Sequence, residues 1–160
     1  SIIVSKRPRV PISCLDPQVK SLNYLNNILA KIEAVDAGVL EALMLNIDGE
    51  VAECTGDNIF IIKDGIISTP HLCAGILNGI TRRFVIDEVA PALGYTIHER
   101  SITLDEVISA DEIFLTGTAA EVIGVSHVGH DVIGSGKVGP ISKSLEQEFR
   151  RRVASDAPEN

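Results

Sequence analysis

Lys20 and Tyr24 are candidate functional residues, an amine and a phenol, at the start of a predicted helix. Their four-residue spacing can place both side chains on one side of a helical turn. A lysine amine can act as a Schiff-base nucleophile where a buried, cationic or electrophilic setting relieves its charge. By spacing alone, a lysine at a helix start is more typical of an exposed surface, so the pair needs support from other residues.

Glu53 is a candidate partner for a positively charged group. It follows a predicted hairpin turn and stands among small residues at the end of a strand. A carboxylate in such a position can pair with the protonated ring nitrogen of a cofactor. Taken alone, it is more typical of an exposed carboxylate on a strand.

Two small-residue turns are candidate anion sites. The segment 77–82 contains Gly79 and leads into the N-terminus of a predicted helix, where free N–H groups and the helix dipole favour phosphate. The segment 116–121 offers amides and threonine hydroxyls that could surround an anion or simply form a tight connection.

Other candidate sites are weaker. The segment 134–137 does not fit a nucleotide-binding loop, because Asp131 and Val138 stand where that loop requires a glycine and a Ser or Thr. His127 and His130 lack a third ligand for a metal ion, so no metal site is predicted.

The elements that must position these residues follow a mixed pattern. Apolar residues at helical spacing predict helices over 21–37, 81–93 and 141–153, and a capping box predicts a short helix after Thr103. Asp48-Gly49 and Asp64-Gly65 predict hairpin turns. Strands are predicted over 1–4, 40–47, from 51, and over 58–63, 66–69, 95–102, 112–116 and 122–128. Hairpins mixed with helices predict an α+β domain with much antiparallel sheet.

Composition and charge narrow the functional classes. The 160 residues are 45% hydrophobic and 22% charged, and the formal net charge of −8 argues against non-specific binding of nucleic acid. The basic clusters 6–9 and 150–152 are predicted to lie on a solvated surface. No signal peptide or membrane span is visible, and three cysteines without a CxxC pair predict a reducing cytoplasm.

Four segments, taken together and in order, resemble the fold-type IV pyridoxal-phosphate enzymes, which include branched-chain aminotransferases, D-amino-acid aminotransferases and aminodeoxychorismate lyases. The matching segments are 20–27, 53–60, 77–82 and 116–122. The resemblance spans nearly the whole chain. It implies the α+β fold of the C-terminal domain of D-amino-acid-aminotransferase-like enzymes, a mostly antiparallel sheet or pseudo-barrel with flanking helices.

The resemblance also implies pyridoxal 5′-phosphate as the cofactor and a role for each matching residue. Lys20 is implied to form the Schiff base and to move the proton between the substrate Cα and the cofactor. Tyr24 is implied to bind the phenolic oxygen, and Glu53 to pair with the pyridinium nitrogen. Leu77 is implied to pack on the face of the ring.

The phosphate and the substrate carboxylate are implied to bind at the two small-residue turns. After Gly79, the amides of Ile80 and Thr81 would hold the phosphate, together with the hydroxyls of Thr81 and Thr118. The turn at Thr118 and Ala119 would also offer donors to the substrate carboxylate.

Within this group, Tyr24 and the turn 117–120 favour a branched-chain aminotransferase. The implied reaction is transfer of the amino group between a branched-chain L-amino acid and 2-oxoglutarate, in a homo-oligomer that is a dimer or larger. A D-amino-acid aminotransferase, an aminodeoxychorismate lyase and a non-catalytic remnant domain remain alternatives.

Family members also have a small N-terminal domain that supplies an arginine to the phosphate and much of the substrate pocket. The resemblance implies that residues 1–13 are the end of that domain and a linker, residues 14–153 the C-terminal cofactor-binding domain, and residues 154–160 a polar tail. The small domain is expected to be absent from this chain, which would then be a fragment with impaired activity.

Overall fold

The computed structural model describes residues 1–156. The helices are α1 (Leu25–Asp36), α2 (Ile80–Phe84), α3 (Ala90–Ala92), α4 (Leu104–Ile108) and α5 (Pro140–Asp156). A π-helical turn (Val85–Val89) joins α2 to α3, and a 3-10 turn (Leu72–Ala74) precedes α2. The strands are β1 (Ile2–Val4), β2 (Glu41–Leu45), β3 (Val51–Cys54), β4 (Asn58–Lys63), β5 (Ile66–Pro70), β6 (Ile97–Arg100), β7 (Glu112–Gly117), β8 (Glu121–Val125), β9 (His127–Val128) and β10 (Asp131–Val132).

The described strands form two open five-stranded sheets. The first has the order β10-β9-β1-β2-β3 and the second the order β6-β5-β4-β7-β8. Most neighbouring pairs are antiparallel, and the parallel pairs are β1–β2, β1–β9 and β5–β6. The α+β class predicted from the sequence is confirmed. Residues 1–13 contribute β1 to the middle of the first sheet, and the predicted domain division stays a prediction.

The second sheet is buried on both faces because its central strands alternate between two hydrophobic clusters. In β4, Ile59 packs in a cluster with Leu43 of the first sheet, whereas Phe60 packs with Leu145 of α5 on the opposite side. Burying both faces makes this sheet a fixed layer between the first sheet and the helices.

One end of the β4–β7 pair gathers residues that lie far apart in the sequence. Asn58 at the start of β4 is paired with Thr116 near the end of β7. The β7–β8 turn extends beyond Thr116, and the loop from β3 to β4 precedes Asn58. Antiparallel pairing thus brings two of the four segments singled out in the sequence, 53–60 and 116–122, together at the same end of these strands.

Helix α1 begins later than the sequence pattern predicts. It runs from Leu25 rather than from residue 21, and Tyr24 is its N-cap with φ −97° and ψ 8°. Lys20 lies in an irregular segment, at the centre of a three-residue turn in which the Ser21 N–H donates to the Val19 carbonyl at 2.7 Å. Lys20 and Tyr24 therefore do not share a helical turn.

Helix α1 is oriented with its small residues inward. Its buried residues are Asn27, Ala30 and Ala34. Its larger apolar side chains are exposed, namely Leu25, Ile28, Ile32 and Val35. The helical period is as predicted, but the apolar stripe of this helix does not face the core of the described chain.

Two other predicted elements are interrupted. The helix predicted over 81–93 contains the π-helical turn before Pro91, which widens the helix where the proline ring would otherwise meet the preceding carbonyl. The strand predicted over 122–128 is split at Ser126, so that β8 belongs to the second sheet and β9 to the first. The capping box is confirmed, with the Glu106 N–H donating to Thr103 Oγ1 at 3.3 Å and the Thr103 N–H to Glu106 Oε2 at 2.9 Å.

No helix within residues 1–156 combines the length and the apolar character that crossing a bilayer requires. The three cysteines are free thiols: Cys14 and Cys73 are exposed, whereas Cys54 is buried in β3.

Candidate active site

A cleft of about 180 Å³ opens at the end of the second sheet where the predicted segments meet. The predicted site residues that line it are Lys20, Leu77, Gly79, Ile80, Thr81 and Thr118. The other residues of its wall are Gly56, Asn58, Asn78, Thr116 and Gly117. The structure therefore brings the lysine and both predicted anion-binding turns to one cavity.

One wall of the cleft is the N-terminus of α2. Gly79 is the N-cap, with extended φ and ψ of −61° and 139°, and the helical run continues from Ile80 through α3. The first N–H groups of a helix have no intrahelical acceptor, and the helix dipole adds partial positive charge there. Thr81 is buried at this point, beside the free amides. The wall is suited to a phosphate group.

Thr116 presents an unpaired hydroxyl in the facing wall. The residue is 1% exposed, and its Oγ1 has no hydrogen-bond partner among the described residues. A buried polar group left without a partner costs about 1–3 kcal/mol. The more exposed Thr118 lies two residues further on and also lines the cleft. An anion between the two turns would find hydroxyl donors on this side as well.

Two glycines allow the turns to pack closely against Asp57 and Asn58 at the start of β4. A Cβ at Gly79 would overlap Asn58 Oδ1, and a Cβ at Gly117 would overlap Asp57 Oδ1. Both walls are therefore backbone surfaces without room for a side chain. Backbone amides, small residues and an unpaired hydroxyl together fit the phosphorylated cofactor that the sequence resemblance implies.

Substituting Gly79 with alanine is expected to disturb the cleft wall. The new methyl group would displace Asn58, whose amide bonds to Glu53, so we expect a loss of about 1–3 kcal/mol in the free energy of unfolding. Gly56→Ala is the control, because the nearest atom to its Cβ is Glu41 Oε1 at 3.6 Å. Chemical denaturation of both variants measures the difference. Equal stability of the two would contradict the close approach at Gly79.

Glu53 is buried directly behind the cleft wall. Its Oε2 accepts from Asn58 Nδ2 and from the Leu77 N–H, both at 3.0 Å, and both donors belong to residues that line the cleft. The side chain is buried, so the interpretation as an exposed strand carboxylate is wrong. Glu53 is therefore held by two residues of the cleft wall.

Arg9 is the charged partner of Glu53 and was not anticipated from the sequence. Its Nη2 lies 2.7 Å from Glu53 Oε1, and both side chains are almost fully buried. Lys6 and Arg7 are exposed, as predicted for the basic cluster 6–9, but Arg9 is not. The prediction of a solvated surface is wrong at Arg9 because a buried carboxylate neutralises it there.

Burial dominates the electrostatics of Glu53. Desolvation raises the pKa of this carboxyl to about 7, against the opposing effects of the Arg9 charge, the Leu77 N–H and the more distant Arg82. Nearby Asp57 raises it slightly further. The ionisation of Glu53 is therefore sensitive to any cation in contact with it at neutral pH.

Tyr24 and Ala119 lie outside the lining of the cleft. Tyr24 lines two adjoining cavities, one of about 20 Å³ with Arg9 and one that shares Gly56 with the cleft. Ala119 lines a groove on the other side of the β7–β8 turn, where it neighbours Leu115. The predicted roles of both residues stay predictions.

The assembled groups define what the cleft can do. A lysine amine and an anion-binding pair of turns line one cavity, and a buried carboxylate lies behind its wall. Such a set can bind a phosphorylated ring, present an amine to its carbonyl and accept a proton. Within residues 1–156, no cluster of three or more His, Cys, Asp or Glu side chains is arranged to hold a metal ion.

The chain is similar in sequence to aminotransferases. A family model described as Amino-transferase class IV matches residues 1–128. The branched-chain-amino-acid aminotransferase of Pseudomonas aeruginosa is 48% identical over 126 residues, which cover 79% of this chain. The D-alanine aminotransferase of Bacillus licheniformis is 38% identical over 138 residues, which cover 86% of this chain. The chain spans about half the length of the curated relatives it matches, 40% and 48% for these two.

Solved structures resemble the chain over almost its whole length. The branched-chain aminotransferase of the thermophilic archaeon Thermoproteus uzoniensis, solved with norvaline, matches with a TM-score of 0.91 and 41% identity, covering 96% of this chain and 51% of that one. The PLP form of the branched-chain amino acid aminotransferase from Thermobaculum terrenum matches with a TM-score of 0.92 and 36% identity, covering 98% of this chain and 51% of that one.

Proposed function

The chain belongs to the class IV aminotransferases, and on that premise we propose that its cleft binds pyridoxal 5′-phosphate and serves the transfer of an amino group between an amino acid and a 2-oxo acid. The observation that carries the proposal is the convergence of Lys20, the N-terminus of α2 and the β7–β8 turn on one cavity. Glu53 behind the wall supplies the negative charge expected near the nitrogen of a pyridine ring.

The proposed division of work follows from the position of each group. When bound, pyridoxal phosphate supplies a carbonyl that condenses with amines and a ring that accepts an electron pair from the substrate Cα. The amides of Ile80 and Thr81, with the hydroxyls of Thr81 and Thr118, would hold the phosphate. Thr116, with its unpaired hydroxyl, is available on the same side.

Lys20 is proposed to act through Nζ, first as the amine that attaches the cofactor and then as the base that moves a proton. It is exposed and lines the cleft, so its amine can reach the cavity without displacing a packed side chain. Leu77 is proposed to pack on the ring, and Glu53 to accept the hydrogen bond of the ring nitrogen. Tyr24 is proposed to bind the phenolic oxygen from the adjoining cavity.

The proposed substrates are a branched-chain L-amino acid and 2-oxoglutarate. The support comes from relatives with branched-chain activity in their names and from the tyrosine at position 24. A D-amino-acid aminotransferase is the second candidate, because a D-alanine aminotransferase is also 38% identical. A cytoplasmic location, homo-oligomers and a contribution from a further domain stay predictions.

The experiment that tests the proposal measures attachment and transfer separately. The chain is incubated with pyridoxal phosphate and reduced with borohydride, and the labelled peptide is mapped. Glutamate formation from 2-oxoglutarate is then followed with L-valine or with D-alanine as the donor. We expect label on Lys20 and glutamate from L-valine; glutamate from D-alanine alone would favour the second candidate. Absence of label on Lys20 would contradict the proposed site.

A further inference from the structure

Arg9 connects three separate parts of the chain. Its side chain is about 10% exposed, and its guanidinium is held by acceptors on three sides. Nε donates to the Gly75 carbonyl at 3.2 Å, Nη1 donates to Asn27 Oδ1, and Nη2 pairs with Glu53 Oε1 at 2.7 Å. A planar guanidinium fixed in this way can neither rotate nor leave without breaking all three contacts.

Each acceptor lies next to a proposed cofactor contact. Asn27 is one helical turn after Tyr24, and Gly75 is two residues before Leu77. Glu53 is itself a proposed contact. Arg9 thus joins the three segments that would touch the phenolic oxygen, the face and the nitrogen of the ring.

The charge of Arg9 also bears on the state of Glu53. Burial favours the neutral carboxyl, and Asp57 adds to that effect. Of the two cations that face Glu53, Arg9 is in contact, whereas Arg82 is engaged with Glu99 at 2.6 Å. If the Glu53 carboxyl carried a proton, its O–H would face other hydrogen-bond donors instead of an acceptor, because Arg9, Asn58 and the Leu77 N–H all donate to Glu53. Arg9 is therefore the main support for the ionised form.

We propose that Arg9 is a positioning residue for the cofactor, because its ion pair favours the carboxylate form of Glu53 and holds it against the cleft wall. The inference rests on the proposed function and adds to it a residue outside the cavity lining. Arg9 does not touch the cavity of the proposed cofactor. It acts through Glu53, which would otherwise lose the negative charge that a pyridinium requires.

The test separates the charge of Arg9 from its hydrogen bonds. Arg9→Gln keeps side-chain donors but removes the charge, and Arg9→Lys keeps the charge. Arg7→Gln is the matched control, since Arg7 is a half-exposed arginine paired with Glu33 at 3.2 Å. Carbon-13 NMR of labelled glutamate follows the Glu53 carboxyl in the chain without cofactor, with Glu53→Gln for assignment.

We expect Glu53 to titrate near pH 7 in the wild type and the Arg7→Gln control. In Arg9→Gln the pKa of Glu53 should be higher by about 1–3, because an opposite charge in contact with the carboxyl is lost. In Arg9→Lys the pKa of Glu53 should return most of the way to the wild-type value. An unchanged Glu53 titration in Arg9→Gln overturns the inference. If Arg9→Gln does not fold, the Glu53 titration is compared between Arg9→Lys and the wild type. Arg9→Lys keeps the positive charge, so a Glu53 pKa in this variant that differs from the wild type would contradict a role for the charge.

A second readout links Arg9 to the cofactor. The fraction of chain labelled at Lys20 by pyridoxal phosphate and borohydride is measured against pH in each variant. Labelling in Arg9→Gln should fall roughly fivefold or more at neutral pH relative to Arg7→Gln, since raising a pKa from about 7 by one lowers the ionised fraction at pH 7 from about a half to about a tenth. Failure of the wild type to label at Lys20 would overturn the proposed function alone, because the Glu53 titration still tests Arg9.

Discussion

Replacing Lys20 with arginine is expected to abolish covalent attachment of pyridoxal phosphate, reducing the label to the background of other lysines. Arginine keeps the length and the positive charge, but its guanidinium stays protonated and cannot condense with a carbonyl. Lys20 is exposed and lies in a turn, so the free energy of unfolding should change by less than about 0.5 kcal/mol. The measurement is the mass of the borohydride-reduced chain, with a thermal unfolding curve of each protein.

Lys143→Arg is the matched control, because Lys143 is an exposed lysine on α5 outside the cleft. It should label as the wild type does. Equal labelling of Lys20→Arg and Lys143→Arg would show that the cofactor attaches elsewhere.

Replacing Glu53 with glutamine is expected to destabilise the chain by about 3 kcal/mol near pH 8, the effect of leaving a buried charge without its partner. Both carboxylate oxygens accept hydrogen bonds, Oε1 from Arg9 and Oε2 from Asn58 and the Leu77 N–H. Whichever way a glutamine amide is turned, its NH₂ group meets another donor. Chemical denaturation measures the loss.

Glu146→Gln is the control, since Glu146 forms a partly exposed pair with Arg150 at 2.9 Å and should change stability by less than about 1 kcal/mol. Combining Glu53→Met with Arg9→Met should be less destabilising than the sum of the single changes, because the partner charge is then removed as well. Additive losses would contradict the ion pair.

The pH dependence of stability gives the same prediction an independent check. The folded state holds the Glu53 proton more tightly than the unfolded state, whose carboxyl titrates near 4.5. Between pH 4.5 and about 7 the folded state therefore binds more protons, and the free energy of unfolding falls as the pH rises through that range. The Glu53→Gln variant should lack this part of the decline.

Much of the fold and of the cleft could be predicted from local signals. Dipeptides such as Asp64-Gly65 specify their own turn, and both residues have the positive φ that a tight hairpin needs. The segments 77–82 and 116–122 could be recognised as candidate anion-binding turns from their own small residues and threonines, without knowledge of the tertiary structure. Once Asn58 and Thr116 were paired, convergence of the segments 53–60 and 116–122 followed from the antiparallel register.

The remaining features depend on partners that a sequence pattern does not identify. Apolar spacing showed which residues of α1 share a face, but not which face is buried. The face that packs on β2 is the one with the small residues Ala30 and Ala34. The length of that helix was overestimated because a helical period does not show at which residue the first turn begins. Arg9 could not be distinguished from its exposed neighbours, because its ion-pair partner Glu53 stands 44 positions further along the chain, outside any local sequence window.

The Arg9 contacts also bear on when the cofactor site forms during folding. They join Arg9 to Asn27 across 18 positions and to Gly75 across 66, so no short piece of the chain contains them. Contacts between distant positions form slowly, because the loop between them must be closed first. The carboxylate behind the cleft is therefore completed only after these distant segments have come together. A ligand that binds only the finished site then stabilises the whole chain, by about 2.7 kcal/mol at a hundredfold excess over its Kd. On the proposed function pyridoxal phosphate is such a ligand, and we expect its supply to influence how long the chain survives proteolysis.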